Sequence, residues 1–339
     1  MPRVRASVPA KREEPLPKRQ RDRHPQHTQL QHPERAEVEG WDWPRHIVII
    51  PNYKEEETSL SRTVEAITEQ VNAKQVVVVL AMEAREPGAN EKAARLVEKY
   101  GKLRVSHKVD PAPLGKGEES VIADISSFEQ VSRAVAGTRA IIHFGAYSIE
   151  AKWETILPAN IVGTYNVYEA ARLHGVKRII FASSNHAIGF HETTEKLDAD
   201  SLQRPDGYYG VSKAFGENMG SMYVDKFGFE VACLRIGSAL PEPKDPRHLS
   251  TWLSYPDLFR LVTACLDSTK LKFAVLYGMS KNKRSWWDNS KVPEVDYRPE
   301  DNAEDYAAQI LSHGDNRDPK LPSTRFMGGP YCDIDYLKR

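Results

Sequence analysis

Between Arg45 and Arg235, short apolar segments rich in β-branched residues alternate with segments whose apolar residues recur every three or four positions. That alternation predicts an α/β fold: a doubly wound, Rossmann-like parallel sheet with helices on both faces. His46–Pro51 and Gln75–Met82 read as strands, the second so continuously apolar that both of its faces must be covered. Leu103–Ser106, Ser120–Ala123, Arg139–Phe144, Arg178–Ser183 and Phe229–Arg235 continue the strand series. Helices are predicted over Ser59–Gln70, Asn90–Tyr100, Val131–Val135, Ile156–His174 and Tyr209–Phe227. Asn90 supplies an N-cap, and Gly101 and Gly175 stand just past two helix ends. Beyond Ser238 the pattern loosens, so a small C-terminal substrate-covering subdomain is expected from about 239.

The first 40 residues follow no such pattern. They hold six prolines, no aromatic residue, and nine Lys/Arg against six Asp/Glu. So little apolar surface cannot offset the entropy of ordering, and a disordered tail is expected. Its basic run Lys18–Arg23 reads more readily as a solvated segment than as an import signal. Over the whole chain 47 basic residues balance 47 acidic ones, which argues against nucleic acid as a partner. No apolar run reaches the ~18–20 residues needed to cross a bilayer, and no signal-peptide core is visible, so no membrane is expected. Three scattered cysteines (Cys233, Cys265, Cys332) indicate neither a disulfide framework nor a metal cluster, and a cytoplasmic setting is expected.

The strongest local signal is Tyr209-Gly-Val-Ser-Lys213. Residues four apart share a helical face, about one turn from each other. A phenol with its usual pKa near ~10 is a poor base at neutral pH, whereas a neighbouring ammonium favours the phenolate. Such a tyrosine can remove a hydroxyl proton while hydride leaves the same carbon. The strand Ile179–Asn185 ahead of it ends in hydroxyl and amide groups, where doubly wound folds place ligands. Ser184 there can polarise a reacting oxygen or simply cap the turn. His143-Phe-Gly-Ala-Tyr-Ser148 is a second strand end, where Gly145 and Ala146 let backbone approach a cofactor. Asp124 and Ile125 suit a clamp on an adenine ring, and an ordinary strand-terminating Asp fits equally well. Asn160, inside an apolar helix, needs partners: a relay through water or lysine, or a satisfied core site.

These stretches resemble the NAD-dependent uronate dehydrogenases, an extended short-chain dehydrogenase/reductase family within the epimerase/dehydratase superfamily. The resemblance runs from Val121 to the C-terminus. It is carried by Ile156–Arg172, Phe181-Ala-Ser-Ser-Asn-His-Ala-Ile-Gly189, Arg204-Pro-Asp-Gly-Tyr-Tyr-Gly-Val-Ser-Lys213, Arg235-Ile-Gly-Ser238, Leu249-Ser-Thr-Trp252 and Trp286-Trp-Asp-Asn289. It implies NAD as cofactor and a hexuronic acid as the small-molecule partner, oxidised at C1 to an aldarolactone; a homo-oligomer is compatible with it. It further implies Tyr209 as base, Lys213 as its partner and ribose ligand, and Ser184 on the reacting oxygen. Ser148, Asn185 and His186 would line the sugar site, Arg247 would hold its carboxylate, and Ile236 and Ser238 would flank the nicotinamide.

One part of the pattern is missing. A dinucleotide site needs a glycine-rich first turn, whose amides meet the pyrophosphate at a helix N-terminus. Before residue 120 the only glycines are Gly40, Gly88, Gly101, Gly115 and Gly117. Residues 46–100 resemble instead the opening strands of a family 2 glycosyltransferase, without an Asp-x-Asp metal site. This segment is expected to repair the fold. Gln75–Met82 would serve as first Rossmann strand, Asn90–Tyr100 as first helix and Leu103–Ser106 as second strand, placing Glu83–Asn90 at the cofactor turn. Three rivals stand beside the dehydrogenase: a non-catalytic Rossmann scaffold, a nucleotide-sugar epimerase or dehydratase, and a glycosyltransferase.

Overall fold

The computed structural model describes residues 123–334 apart from 313 and 316, and upstream of these only the backbone of three strands. The expected tail, the helices over Ser59–Gln70 and Asn90–Tyr100, and most of Ser120–Ala123 lie outside the described residues. The strands are β1 (His46–Asn52), β2 (Val76–Met82), β3 (Arg104–Ser106), β4 (Ala140–His143), β5 (Arg178–Ser184), β6 (Glu230–Ile236), β7 (Ser238–Ala239), β8 (Trp252–Leu253) and β9 (Phe273–Gly278). Seven of them form one sheet in the order β3-β2-β1-β4-β5-β6-β9, every pairing parallel. β7 and β8 pair separately.

This order corrects the expected repair. β1 stands between β2 and β4, with Ile47 opposite Val77 on one side and Ile141 on the other. The upstream segment His46–Asn52 therefore takes the first Rossmann place, Val76–Met82 the second and Arg104–Ser106 the third. In such a sheet the order reverses beside the first strand in the chain, so the earliest apolar strand goes inside and later ones move outward. The residues after Asn52, not Glu83–Asn90, then follow the first strand.

Both faces of the sheet are apolar because alternate strand residues point to opposite sides. Ile141, Ile179, Phe181, Val231 and Cys233 pack on one face with Val131 of helix α1 (Phe128–Val135), Val167 and Tyr168 of α2 (Trp153–Leu173), and Tyr223 of α3 (Tyr208–Phe227). Ile142, Ile180, Ala232 and Leu234 pack on the other with Leu261 and Cys265 of α4 (Tyr255–Asp267). Each fully buried Ile or Leu contributes about 1.5–3 kcal/mol. Gly216 brings α3 against the sheet, since a Cβ there would collide with the Phe181 ring.

Helix α2 runs from Trp153 to Leu173 through a wide π turn over Leu157–Val162. Pro158 has no amide hydrogen to give the preceding turn, so regular i to i−4 bonding lapses where the helix widens. Asn160 lies in that turn and is buried. The stretch expected as a covering subdomain is not wholly separate, because α4 and β9 rejoin the main sheet.

Candidate active site

The C-terminal ends of β4, β5 and β6 gather the residues singled out in the sequence. Tyr209 and Lys213 stand on the first turns of α3, both buried. Lys213 Nζ lies 5.4 Å from the centre of the Tyr209 ring and donates to the Ala182 carbonyl at 2.7 Å. No carboxylate lies within 4.0 Å of it among the described residues. Burial therefore pulls its pKa down to about 7. The same burial pushes the Tyr209 phenol above its usual range; the nearby Ser184 hydroxyl pulls it back, while Tyr331, Asp206 and Glu150 add to the rise. The activation expected from the lysine is thus held in check by desolvation of both groups. His143, below them on β4, is driven down to about 3 by burial and then by Lys213, so it stays neutral.

The strand ends are tied by side chains. Ser184 is buried and accepts from the His186 amide at 3.2 Å, capping the turn Asn185–Ile188 while lying beside Tyr209. Ser183 faces the other way and donates to Glu217 at 2.6 Å. Glu217 is also paired with buried Arg235, at 3.0 and 2.9 Å, which locks β5, β6 and α3 together. Asn160 holds the loop after β4: its amide accepts from Tyr147 N at 2.7 Å, and donates to Tyr147 O at 3.1 Å and to Ser212 at 2.9 Å. Those bonds match the satisfied core role weighed for it. Gly145 in that loop is buried, and Ala146 and Ser148 are half-buried. Glu150, at the loop's end, accepts from the amides of Tyr208 and Tyr209, both at 2.9 Å, and so caps the helix that carries the phenol.

Asp124 is exposed and caps its own turn, accepting from Ser126 at 2.9 and 2.8 Å. Ile125 packs against Gly163, and its carbonyl accepts from Asn166 at 2.9 Å. Ile236 ends β6 and Ser238 opens β7; Ser238 shares a hydrogen bond with Thr251 at 2.9 Å.

Arg247 is half-buried. Nearby Asp245 lies 3.4 Å from His248 Nε2. The Arg247 guanidinium reaches Met327 O through Nε at 3.1 Å and Nη2 at 2.7 Å, and Ser238 through Nη1 at 3.3 Å. With its amide turned to suit both neighbours, Asn185 accepts from Arg247 Nη2 at 2.8 Å and donates to Ile236 O at 3.1 Å. Four of the five guanidinium hydrogens are thereby used. A carboxylate finds one free Nη1 hydrogen and a charge that Asp245 and Asp206 offset only from beyond 4.0 Å; two-point binding requires a protein acceptor to yield.

Asp206, Glu150, Glu217 and Tyr331 were not singled out in the sequence. Asp206 holds His186, and Tyr331 stacks on the same ring. Their only local signal was position: Asp206 inside Arg204-Pro-Asp-Gly, Tyr331 inside Gly-Gly-Pro-Tyr.

The site residues around β5, α2 and α3 fall within residues 61–254, which match the model of the NAD dependent epimerase/dehydratase family. The chain is 46% identical over 230 residues to the uronate dehydrogenase of Pseudomonas syringae pv. tomato, covering 68% of this chain and 83% of that protein. A variant of the Agrobacterium tumefaciens uronate dehydrogenase, solved in complex with NAD, superposes with a TM-score of 0.70 at 38% identity, over 86% of this chain and 98% of that one. The glucuronic acid dehydrogenase of Chromohalobacter salexigens superposes with a TM-score of 0.71 at 33% identity, over 87% and 98% of the two chains.

Proposed function

This chain belongs to the NAD dependent epimerase/dehydratase family, among the uronate dehydrogenases, and we propose that it oxidises a hexuronic acid, galacturonate or glucuronate, at C1 to an aldarolactone with NAD. The observation that carries the substrate is Arg247: a half-buried guanidinium beside Asn185 and Ser238, with no carboxylate within 4.0 Å among the described residues. Asp245 and Asp206 act on this cation only from a distance, and a cation withdrawn from water is costly unless a ligand supplies an anion in contact with it.

The residues at the ends of β4–β6 fit the nicotinamide half of a dinucleotide. Lys213 is buried with no carboxylate within 4.0 Å among the described residues, and Gly145 keeps the loop after β4 free of a side chain. When bound, NAD supplies the hydride acceptor. Tyr209 takes the C1 hydroxyl proton as hydrogen leaves C1 with its electron pair, so the C1–O bond becomes a carbonyl and the ring oxygen makes it a lactone. Ser184 donates to the reacting oxygen. Lys213 supplies the charge that lets the buried phenol lose its own proton, and binds the ribose. Arg247 takes the carboxylate, while Ser148, Asn185 and His186 line the sugar. Ile236 and Ser238 flank the nicotinamide, Gly145 and Ala146 let the protein backbone approach the cofactor, and Asp124 and Ile125 hold the adenine. Asn160 contributes by holding the loop.

The upstream strands whose sequence resembles a glycosyltransferase serve as Rossmann strands, and we assign them no transferase chemistry. A cytoplasmic location fits three unbonded cysteines, and no helix of the described residues is long and apolar enough to cross a membrane. A homo-oligomer is compatible with Trp153, Val162 and Tyr165 standing exposed on α2. The test of the reaction is its product. Proton NMR of galacturonate incubated with chain and NAD should show loss of the anomeric proton and growth of lactone resonances; an epimerised sugar that keeps its anomeric proton contradicts it.

A further inference from the structure

We infer that Asp206 is a positioning residue for His186: its carboxylate fixes the imidazole with the proton on Nδ1 and leaves Nε2 as a bare acceptor for a sugar hydroxyl. The sugar in this statement rests on the uronate reading; the pairing does not.

Asp206 Oδ2 lies 2.7 Å from His186 Nδ1, and the aspartate side chain has 0% exposure against 15% for the histidine. An ionised carboxylate only accepts, so Nδ1 must be the donor, and the hydrogen bond on one ring nitrogen decides the state of the other. Nε2 has no protein partner among the described residues. The ring is also fixed in orientation. Tyr331 stacks on it at 4.0 Å and 15°, and Tyr209 meets it edge-on at 5.7 Å and 68°. The backbone ties the same two residues, Asp206 N donating to His186 O at 3.3 Å.

The fold makes room for this carboxylate by leaving side chains out around it. A Cβ at Gly189 or Gly328 would collide with the Asp206 carboxylate, and one at Gly210 would collide with the His186 carbonyl. Glycines from three separate segments thus form its socket. Among the described residues, the second carboxylate oxygen, Oδ1, is buried without a hydrogen-bond partner. Among the described side chains, the Asp206 carboxylate serves one imidazole, and that imidazole borders the phenol.

The test is the tautomer itself, read by nitrogen–proton NMR on the full chain labelled with ¹⁵N-histidine, at a pH where the ring is neutral and with His186→Gln identifying the signal. The expected spectrum has Nδ1 protonated and Nε2 bare. Asp206→Ala should move the proton to Nε2 and lower kcat/KM for galacturonate about tenfold, through KM more than kcat, the scale of one hydrogen bond. Asp206→Asn keeps an acceptor and should restore both readouts most of the way. A native His186 protonated on Nε2 overturns the inference, as does an Asp206→Ala protein with unchanged tautomer and KM. If Asp206→Ala fails to fold, the native and Asp206→Asn spectra decide. The expected tautomer in a chain that oxidises no uronate supports the dyad and removes the substrate reading.

Discussion

Arg247 straddles the carbonyl oxygen of Met327, with Nε at 3.1 Å and Nη2 at 2.7 Å, so one charged side chain both ties down the C-terminal segment and faces the site. Arg247→Ala should weaken uronate binding by roughly 2–5 kcal/mol, the scale for breaking a desolvated charge pair. Residual activity on a neutral aldose should fall far less, because that sugar brings no carboxylate. Catalytic efficiencies for galacturonate and galactose, measured in both proteins, separate a carboxylate ligand from a purely structural tie, which would lower both alike.

Tyr209→Phe should keep the fold and lower turnover by about 10²–10⁴, the usual cost of removing a general base. Near-normal turnover in this variant would make the phenol structural.

Lys213 gives a pH prediction with a definite sign. Burial lowers its pKa from the ordinary 10.5 to about 7. The unfolded chain therefore binds the extra proton between those values, and this group's contribution to stability rises with pH across the window. Below pH 7 the cost of burying the cation is at its full size; near 10.5 it is gone. Lys213→Met should raise the thermal midpoint most at pH 6 and least at pH 9, while removing activity at both. Melting curves that differ by a constant amount would contradict the burial argument.

Glu150 caps α3 through the amides of Tyr208 and Tyr209. Glu150→Ala should cost about 0.5–2 kcal/mol of stability, as for other helix caps. Glu150→Gln keeps an acceptor and should recover most of it, which urea unfolding of the three proteins would show.

NAD should bind weakly. The chain leaves β1 at Asn52, and the next six residues, Tyr-Lys-Glu-Glu-Glu-Thr, carry three glutamates and no glycine. Each charge-assisted hydrogen bond that the pyrophosphate fails to make costs about 1.5–3 kcal/mol, roughly ten- to a hundredfold in affinity. Titration of NADH fluorescence checks this, and a dissociation constant in the low micromolar range would contradict it.

Periodicity made the sheet legible from β4 onward, because β-branched runs such as Ile179-Ile-Phe suit only a strand covered on both faces. It did not assign lateral places upstream. Val76–Met82 is the more continuously apolar of the two, yet pairing across the sheet puts His46–Asn52 beside β4. The same limit applies to the site. Tyr209 and Lys213 are four apart on one helix, so spacing alone brought them together. Asp206 reaches His186 across 20 residues and Glu150 reaches Tyr209 across 59, contacts that exist only once the loops have folded. Ser184 was read with two roles, and the cap is visible in its bond to the His186 amide. For Lys213 the sequence weighed the charge without the burial that opposes it.

The most direct measurement is the initial rate of NADH formation from galacturonate, glucuronate and galactose at equal concentrations and saturating NAD. Rapid reduction of NAD is predicted with at least one of the two uronates, and a rate with galactose lower by an order of magnitude or more. No NADH from either uronate, or equal rates with the uronates and galactose, would contradict the assignment.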